Sequence, residues 1–298
     1  MKISTIHFIL TSPSSAFNLQ PSTFNPQPTT FSLPSPFHLS LQNKSITLDK
    51  QLVTYKDLGI IDYKAAWDYQ ESLLQHNVKL KSRIPRNTTA IIDADGGENG
   101  FTDHEIPSST THYLLLCEHP PVYTLGKSGH QENILISETE MEQKGIQFFK
   151  TNRGGDITFH GPQQLVGYPV IDLEKFYTDI GRYLRELEEV VMLTLAEYDI
   201  TGKRSKGETG VWIEPDIPGK ERKICAMGVR CSRWITMHGF ALNVNTDLDY
   251  FNNIIPCGIE NKKVTSIEKE LGRSVDLQEV KEKIQRNFEK VFNVELIA

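Results

Sequence analysis

The chain has 298 residues, 38% of them hydrophobic and 23% charged, with a formal net charge of -6. That balance argues against a globally basic nucleic-acid binder, though not against a local basic patch, and no stretch approaches the roughly 18 apolar residues of a membrane span. Cys117, Cys225, Cys231 and Cys257 form no C-x-x-C pair, which argues against a disulfide scaffold or a zinc ribbon and suits a reducing compartment.

Residues 1–48 contain no Asp, Glu or Arg and are dominated by Ser, Thr, Pro, Asn and Gln. Phe17, Phe24 and Phe31 recur at a regular interval, but Pro21, Pro26, Pro28, Pro34 and Pro36 forbid a heptad helix. Too little apolar matter is present to offset the entropy of ordering, so residues 1–50 are expected to be a disordered, low-complexity tail. A secretory signal is weakened by His7, which interrupts the short apolar run, and a plastid-type transit peptide by the lack of arginine. A misassigned start ahead of the domain fits the repeated phrase best. One domain is expected over 52–298, with a Pro-, Gly- and Asn-rich surface insertion at 81–111.

The pattern predicts a strand at 53–58 and a helix at 62–79. Asp62 is its cap, and Ala66, Trp67, Leu73, Leu74 and Val78 are its buried stripe, with Gln70 the polar exception. Strands at 113–117 and 122–125 flank Pro120-Pro121, and a short helix at 138–144 ends at Gly145. Strands at 146–149 and 165–173 enclose a glycine-rich turn. The clearest helix is 180–198, with Ile180, Tyr183, Leu184, Leu187, Val191, Leu195 and Tyr198 on one face. Strands follow at 211–213, 223–229 and 236–244, then a helix at 276–292 capped by Asp276. Mixed strands and helices without strict alternation predict an α+β or mixed-sheet α/β domain.

Four segments bear polar or reactive groups. The first, RGGDITFHGPQQ from Arg153, has tandem glycines that let backbone approach a ligand; a plain Gly-Gly hairpin is the bland alternative. In RKICAMGVR, Lys223 heads an apolar strand, either as a snorkelling surface residue or as a partly desolvated amine beside a nucleophile. In HGFALNV, His238 and Gly239 interrupt a strand, where a glycine often marks close approach of a ligand. In IPCGI, a Pro-Cys-Gly turn presents Cys257 on a loop, although a free cysteine is more commonly a small buried hydrophobe.

Together and in this order, these segments resemble the lipoyl(octanoyl) transferase family, the lipoate-protein ligase B enzymes, over about residues 53–292. The resemblance implies a mixed sheet flanked by helices, as in biotin and lipoate ligases. It implies transfer of an octanoyl group from octanoyl-acyl carrier protein to a lysine of lipoyl domains, those of 2-oxoacid dehydrogenase E2 subunits and the glycine cleavage H protein. By residue-by-residue match, Cys257 and Lys223 are the catalytic pair. Arg153, Gly154, Gly155, Asp156, Ile157, Thr158, Phe159, His160, Ala226, Met227, Gly228, Gly239, Phe240 and Ala241 line the acyl pocket, with Ile224 a further wall candidate. No cofactor, metal, nucleic acid or membrane partner is implied. The cytoplasm is the expected location, or an organelle if residues 1–50 are a transit peptide.

The chemistry suits these residue types. A free thiol near pKa 8.5 is only a few per cent ionised at neutral pH, and a neighbouring ammonium favours the thiolate. The same amine, once neutral, can take a proton from the acceptor lysine. A Cys–His dyad using His160 is the rival mechanism, and an ATP-using lipoate or biotin ligase of the same fold the rival activity. An acidic domain that binds acidic carriers needs a local basic surface, for which Lys203, Arg204 and Lys206, with Lys220, Arg222, Arg230 and Arg233, are the candidates.

Overall fold

The structure, a computed structural model, describes residues 50–83, 109–255 and 263–298. The expected tail, most of the expected insertion and the Pro-Cys-Gly turn lie outside these residues. The described chain opens with β1 (Gln51–Ile60) and α1 (Tyr63–Arg83). Asp62 caps α1 as expected, accepting the Ala65 N–H at 3.1 Å. The helix runs past its expected end into the segment read as insertion, where Lys81 pairs with Asp172 at 2.7 Å. Thr110 donates to the same carboxylate at 3.0 Å. Both margins of that segment therefore belong to the packed body.

Then come β2 (His112–Glu118), β3 (Val122–Leu125), α2 (Glu138–Gln143), β4 (Gln147–Lys150), β5 (Ile157–His160), β6 (Gln164–Val170) and α3 (Ile180–Ala196). The remainder is β7 (Val211–Ile213), β8 (Arg222–Ser232), β9 (Ile235–Asn243), β10 (Lys263–Val264), α4 (Ile267–Leu271), α5 (Leu277–Phe292) and β11 (Val294–Ile297). Among the described residues the main sheet has eight strands in the order β10-β8-β9-β6-β2-β1-β11, with β7 on β8, and a smaller sheet has the order β4-β3-β5. Parallel pairing at β1–β2, β1–β11 and β10–β8 is mixed with antiparallel pairing at β2–β6, β6–β9 and β8–β9.

Alternation along β2 builds both layers. Leu114 and Leu116 face the core shared with Tyr183, Leu187 and Val191 of α3 and Val280, Ile284 and Phe288 of α5. Leu115 and Cys117 face the other way, onto Ala66 of α1, Val166 and Ala241. Each fully buried leucine stabilises by roughly 1.5–3 kcal/mol. The result is the expected mixed sheet flanked by helices. Among the described residues no helix is long and apolar enough to cross a membrane.

Three local readings change. The glycine-rich turn holds a strand, β5, which leaves the main sheet to pair with β3. A run of four residues is too short for alternation to declare itself. The short α4 and the edge strand β11 escaped for the same reason. Finally, β9 is not broken at His238-Gly239. His238 takes a left-handed φ of 57°, and its N–H finds Gln70 Oε1 at 2.8 Å. Gln70, the polar exception on the α1 stripe, is thus part of the sheet's hydrogen bonding. A Cβ on Gly239 would stand 2.1 Å from the Gly167 carbonyl, so a neighbouring strand already requires glycine there.

Candidate active site

The turn after β4 is zipped to the turn after β3. Gly126, Lys127 and Ser128 donate backbone N–H groups to the carbonyls of Asp156, Arg153 and Gly155 at 3.0–3.2 Å. Arg153 is buried inside this pair of turns. Its guanidinium donates to the carbonyls of Thr124 (2.6 Å), Asp156 (2.8 Å) and Gly154 (3.0 Å). Asp156 accepts from Asn133 Nδ2 at 2.8 Å and from the Ile157 N–H at 2.7 Å. The turn meets β8 where Gly154 donates to the Val229 carbonyl at 3.0 Å. Gly228 must be glycine here, because a Cβ would stand 2.6 Å from the Gly154 carbonyl.

Between this turn and strands β8 and β9 lies a cavity of about 580 Å³, well within the range of small-molecule sites. Arg153, Gly154, Gly155, Asp156, Ile157, Thr158, His160, Ala226, Met227, Gly228, Gly239, Phe240 and Ala241 all border it, and so does Lys223. Phe159 does not join them. Alternation along β5 sends its ring to the far side, where it stacks on Tyr250 with centroids 4.6 Å apart. Ile224 is likewise sealed in the main core. Cys257 lies outside the described residues, but Phe251 before it and Val264 after it both border the cavity.

The histidines around the cavity are neutral by burial. His160 stacks on Tyr63 and contacts Gln164 Oε1 through Nδ1 at 2.8 Å and Thr124 Oγ1 through Nε2 at 3.3 Å. Desolvation pushes it well below the ordinary imidazole value. His238 contacts Asn152 Oδ1 through Nε2 at 2.9 Å and is pushed down to about 3, again chiefly by burial. His119 contacts the Ile61 carbonyl and the Tyr168 hydroxyl, both at 2.7 Å, and burial lowers it to about 4. Both ring nitrogens of His160 are thus engaged within the protein.

Lys223 stands on different terms. Its side chain is 14% exposed, its Nζ lies 4.6 Å from the centre of the Trp212 ring, and Glu208 Oε2 is 3.9 Å away. Strand register sets this: Trp212 is the cross-strand partner of Lys223, and Val264 pairs with it from the other edge. Neither Glu208 nor Trp212 was legible as a site residue. Glu208 sits between Gly207 and Gly210 in a loop with no periodicity, and Trp212 reads as core. Tyr63 and Tyr168 escaped in the same way, each on an otherwise ordinary element, whereas Gln164 closes the RGGDITFHGPQQ run but was not named among the wall residues.

The expected basic surface is largely neutralised. Lys203 pairs with Asp216, Arg204 with Glu188 and Glu189, Arg222 with Glu214 and Glu270, and Arg230 with Glu71. Glu188 is fully buried, so Arg204 balances a charge within the protein. Among the described residues no group of three or more His, Cys, Asp or Glu could hold a metal ion.

The described residues thus combine a mixed sheet with a cavity bordered by a backbone-lined turn and by a lysine. The chain belongs to the lipoyl protein ligase A/B catalytic domain family, which it matches over residues 62–289. An octanoyltransferase of Christiangramia forsetii is 55% identical over 245 residues, covering 82% of this chain and 97% of the relative. One from Flavobacterium psychrophilum is 54% identical over 256 residues, covering 86% of this chain and 100% of the relative. Lipoate-protein ligase A bound with ATP shares the fold, with a TM-score of 0.54 at 15% identity, covering 84% of this chain and 90% of that one.

Proposed function

We propose that this chain, an acyltransferase of the octanoyltransferase kind, takes its octanoyl group from acyl carrier protein and passes it to a lysine of a lipoyl domain through a thioester on Cys257. It serves lipoate biosynthesis. The observation that carries the thioester reading is the setting of Lys223. The amine borders the cavity, and its strand partner Val264 leads directly out of the segment that contains Cys257. An ammonium there favours the thiolate by charge attraction. The donor is itself a thioester, so exchange onto Cys257 is close to isoenergetic. Apolar groups such as Met227, Phe240 and Leu184 offer the chain its wall, at roughly 0.8 kcal/mol per buried CH₂. The same reading has the enzyme act in the cytoplasm, with soluble carrier and lipoyl domains.

The test is direct. Octanoyl-acyl carrier protein is mixed with the full chain in the absence of ATP, and the protein is weighed intact. The expected result is a single octanoyl adduct that is absent from Cys257→Ala and forms much more slowly in Lys223→Ala, whose thiol should alkylate with a raised pKa. An adduct that requires ATP, or that persists in Cys257→Ala, overturns the reading.

A further inference from the structure

We propose that Lys127, Lys206 and Lys263 form a basic rim around the cavity that seats the acyl carrier, an inference that rests on the carrier-donor reading above. All three are exposed, and each is one residue away from a residue that borders the cavity: Ser128, Gly207 and Val264. They come from three separate places in the fold. Lys127 lies in the turn after β3, where its N–H donates to the Arg153 carbonyl at 3.0 Å. Lys206 stands two residues before Glu208, which faces Lys223. Lys263 opens β10 and is the strand partner of Arg222, the residue before Lys223. Lys206 and Lys263 therefore belong to the Lys223 end of the cavity, and Lys127 to the paired turns along its side.

Charge bookkeeping separates these three from the basic cluster between Lys203 and Arg230. Lys203, Arg204, Arg222 and Arg230 are held in ion pairs, whereas among the described residues no carboxylate pairs with Lys127, Lys206 or Lys263. The described acids that border the cavity, or adjoin a bordering residue, are engaged inside the protein. Asp156 accepts from Asn133 and the Ile157 N–H, Glu208 faces Lys223, and Asp62 and Asp179 cap α1 and α3. A chain with a formal net charge of -6 thus keeps uncompensated positive charge around this cavity. Of the two partners that must come here, the chemistry favours the carrier. A lipoyl domain has to bring a lysine ammonium to the cavity, and a rim of ammonium groups opposes that approach. An acyl carrier is acidic, and its thioester rides on an arm with a phosphodiester, so its surface and its arm are both anionic. Lysine suits such a partner because a compact, flexible point charge attracts an anion without demanding one geometry. The attraction speeds encounter and is screened beyond roughly 8 Å at physiological salt.

The experiment compares a charged with an uncharged donor. Octanoyl transfer by the full chain to a lipoyl domain is measured from octanoyl-acyl carrier protein and, separately, from the octanoyl thioester of N-acetylcysteamine, at several salt concentrations. The quantity read is the ratio of kcat/KM for the carrier to kcat/KM for the uncharged donor. Lys127→Glu, Lys206→Glu and Lys263→Glu should each lower that ratio about threefold, and the three together about thirtyfold. Added salt should lower the ratio in wild type and leave it nearly flat in the triple variant. Lys290→Glu, the same charge change at an exposed site on α5, reads the effect of net charge alone. Rim variants whose ratio falls no further than that of Lys290→Glu overturn the proposal. So does a raised KM for the lipoyl domain with the donor ratio unmoved, which would give the rim to the acceptor. A wild type that uses the small thioester but not the carrier overturns the carrier-donor reading itself, and this is seen before any variant is made.

Discussion

On one side of the cavity His160 is buried with both ring nitrogens engaged and His238 with its Nε2 on Asn152, and His119 lies buried behind them with both of its own engaged. On the other side Lys223 and Glu208 face each other as an ion pair near the rim. The histidine side excludes charge because desolvating an imidazolium costs more than its hydrogen bonds return. The lysine side tolerates charge because a carboxylate, an aromatic face and partial solvent access share the cost. Histidines around a cavity look like acid–base machinery, yet here His160 and His238 are neutral parts of its wall, and the ion pair on it is Lys223 with Glu208.

That contrast can be broken most severely at Arg153. Replacing it by Met removes the guanidinium that donates to the carbonyls of Thr124, Gly154 and Asp156, of which Asp156 keeps the Gly126 N–H. A loss of roughly 3–5 kcal/mol is expected in urea denaturation. A loss below about 1 kcal/mol would mean the turn is held by its glycine zipper alone.

Arg204→Glu comes next. It sets a second carboxylate against the fully buried Glu188, and about 3 kcal/mol of stability should be lost. Should the melting temperature hold while carrier affinity drops in a salt-sensitive way, Arg204 is a docking residue after all. Lys206, exposed on the same loop, supplies the contrast: Lys206→Glu should move stability by no more than about 0.5 kcal/mol.

The histidines make a gentler test. His119 and His238 are lowered from 6.5 to about 4 and about 3. Below pH 6.5 the unfolded chain takes up protons that the folded one refuses. Their stabilising contribution is therefore complete above that pH and is lost as pH falls toward the folded values. Each such histidine adds a slope of up to about 1.4 kcal/mol per pH unit. His119→Gln should flatten the fall of melting temperature between pH 6 and about 4.5. A slope identical to wild type would mean His119 is not the group being protonated.

Much of the fold was legible because its signals are periodic. The stripe of α3 from Ile180 through Leu187 to Leu195 and the Asp62 and Asp276 caps are local patterns, and the structure reproduces them. The cavity wall was also largely legible, because Arg153 through Asp156 and Ala226 through Gly228 are short runs whose members stay together wherever the run goes. Phe159 misled because the run alone does not say which face of β5 turns to the cavity. The ion pairs of Arg204 were not legible, because a cluster of basic residues in sequence carries no record of the carboxylates that fold back onto it.

The amino-acid order alone determined the element types, the two-sided alternation of β2 and the segments that meet at the cavity, since each depends on neighbours within a few residues. Only the tertiary structure decided which charges survive there. Glu208 reaches Lys223, Glu188 reaches Arg204, and Gln70 reaches His238 across long separations. Whether a titratable group is charged depends on the solvent and partners that the finished fold leaves around it.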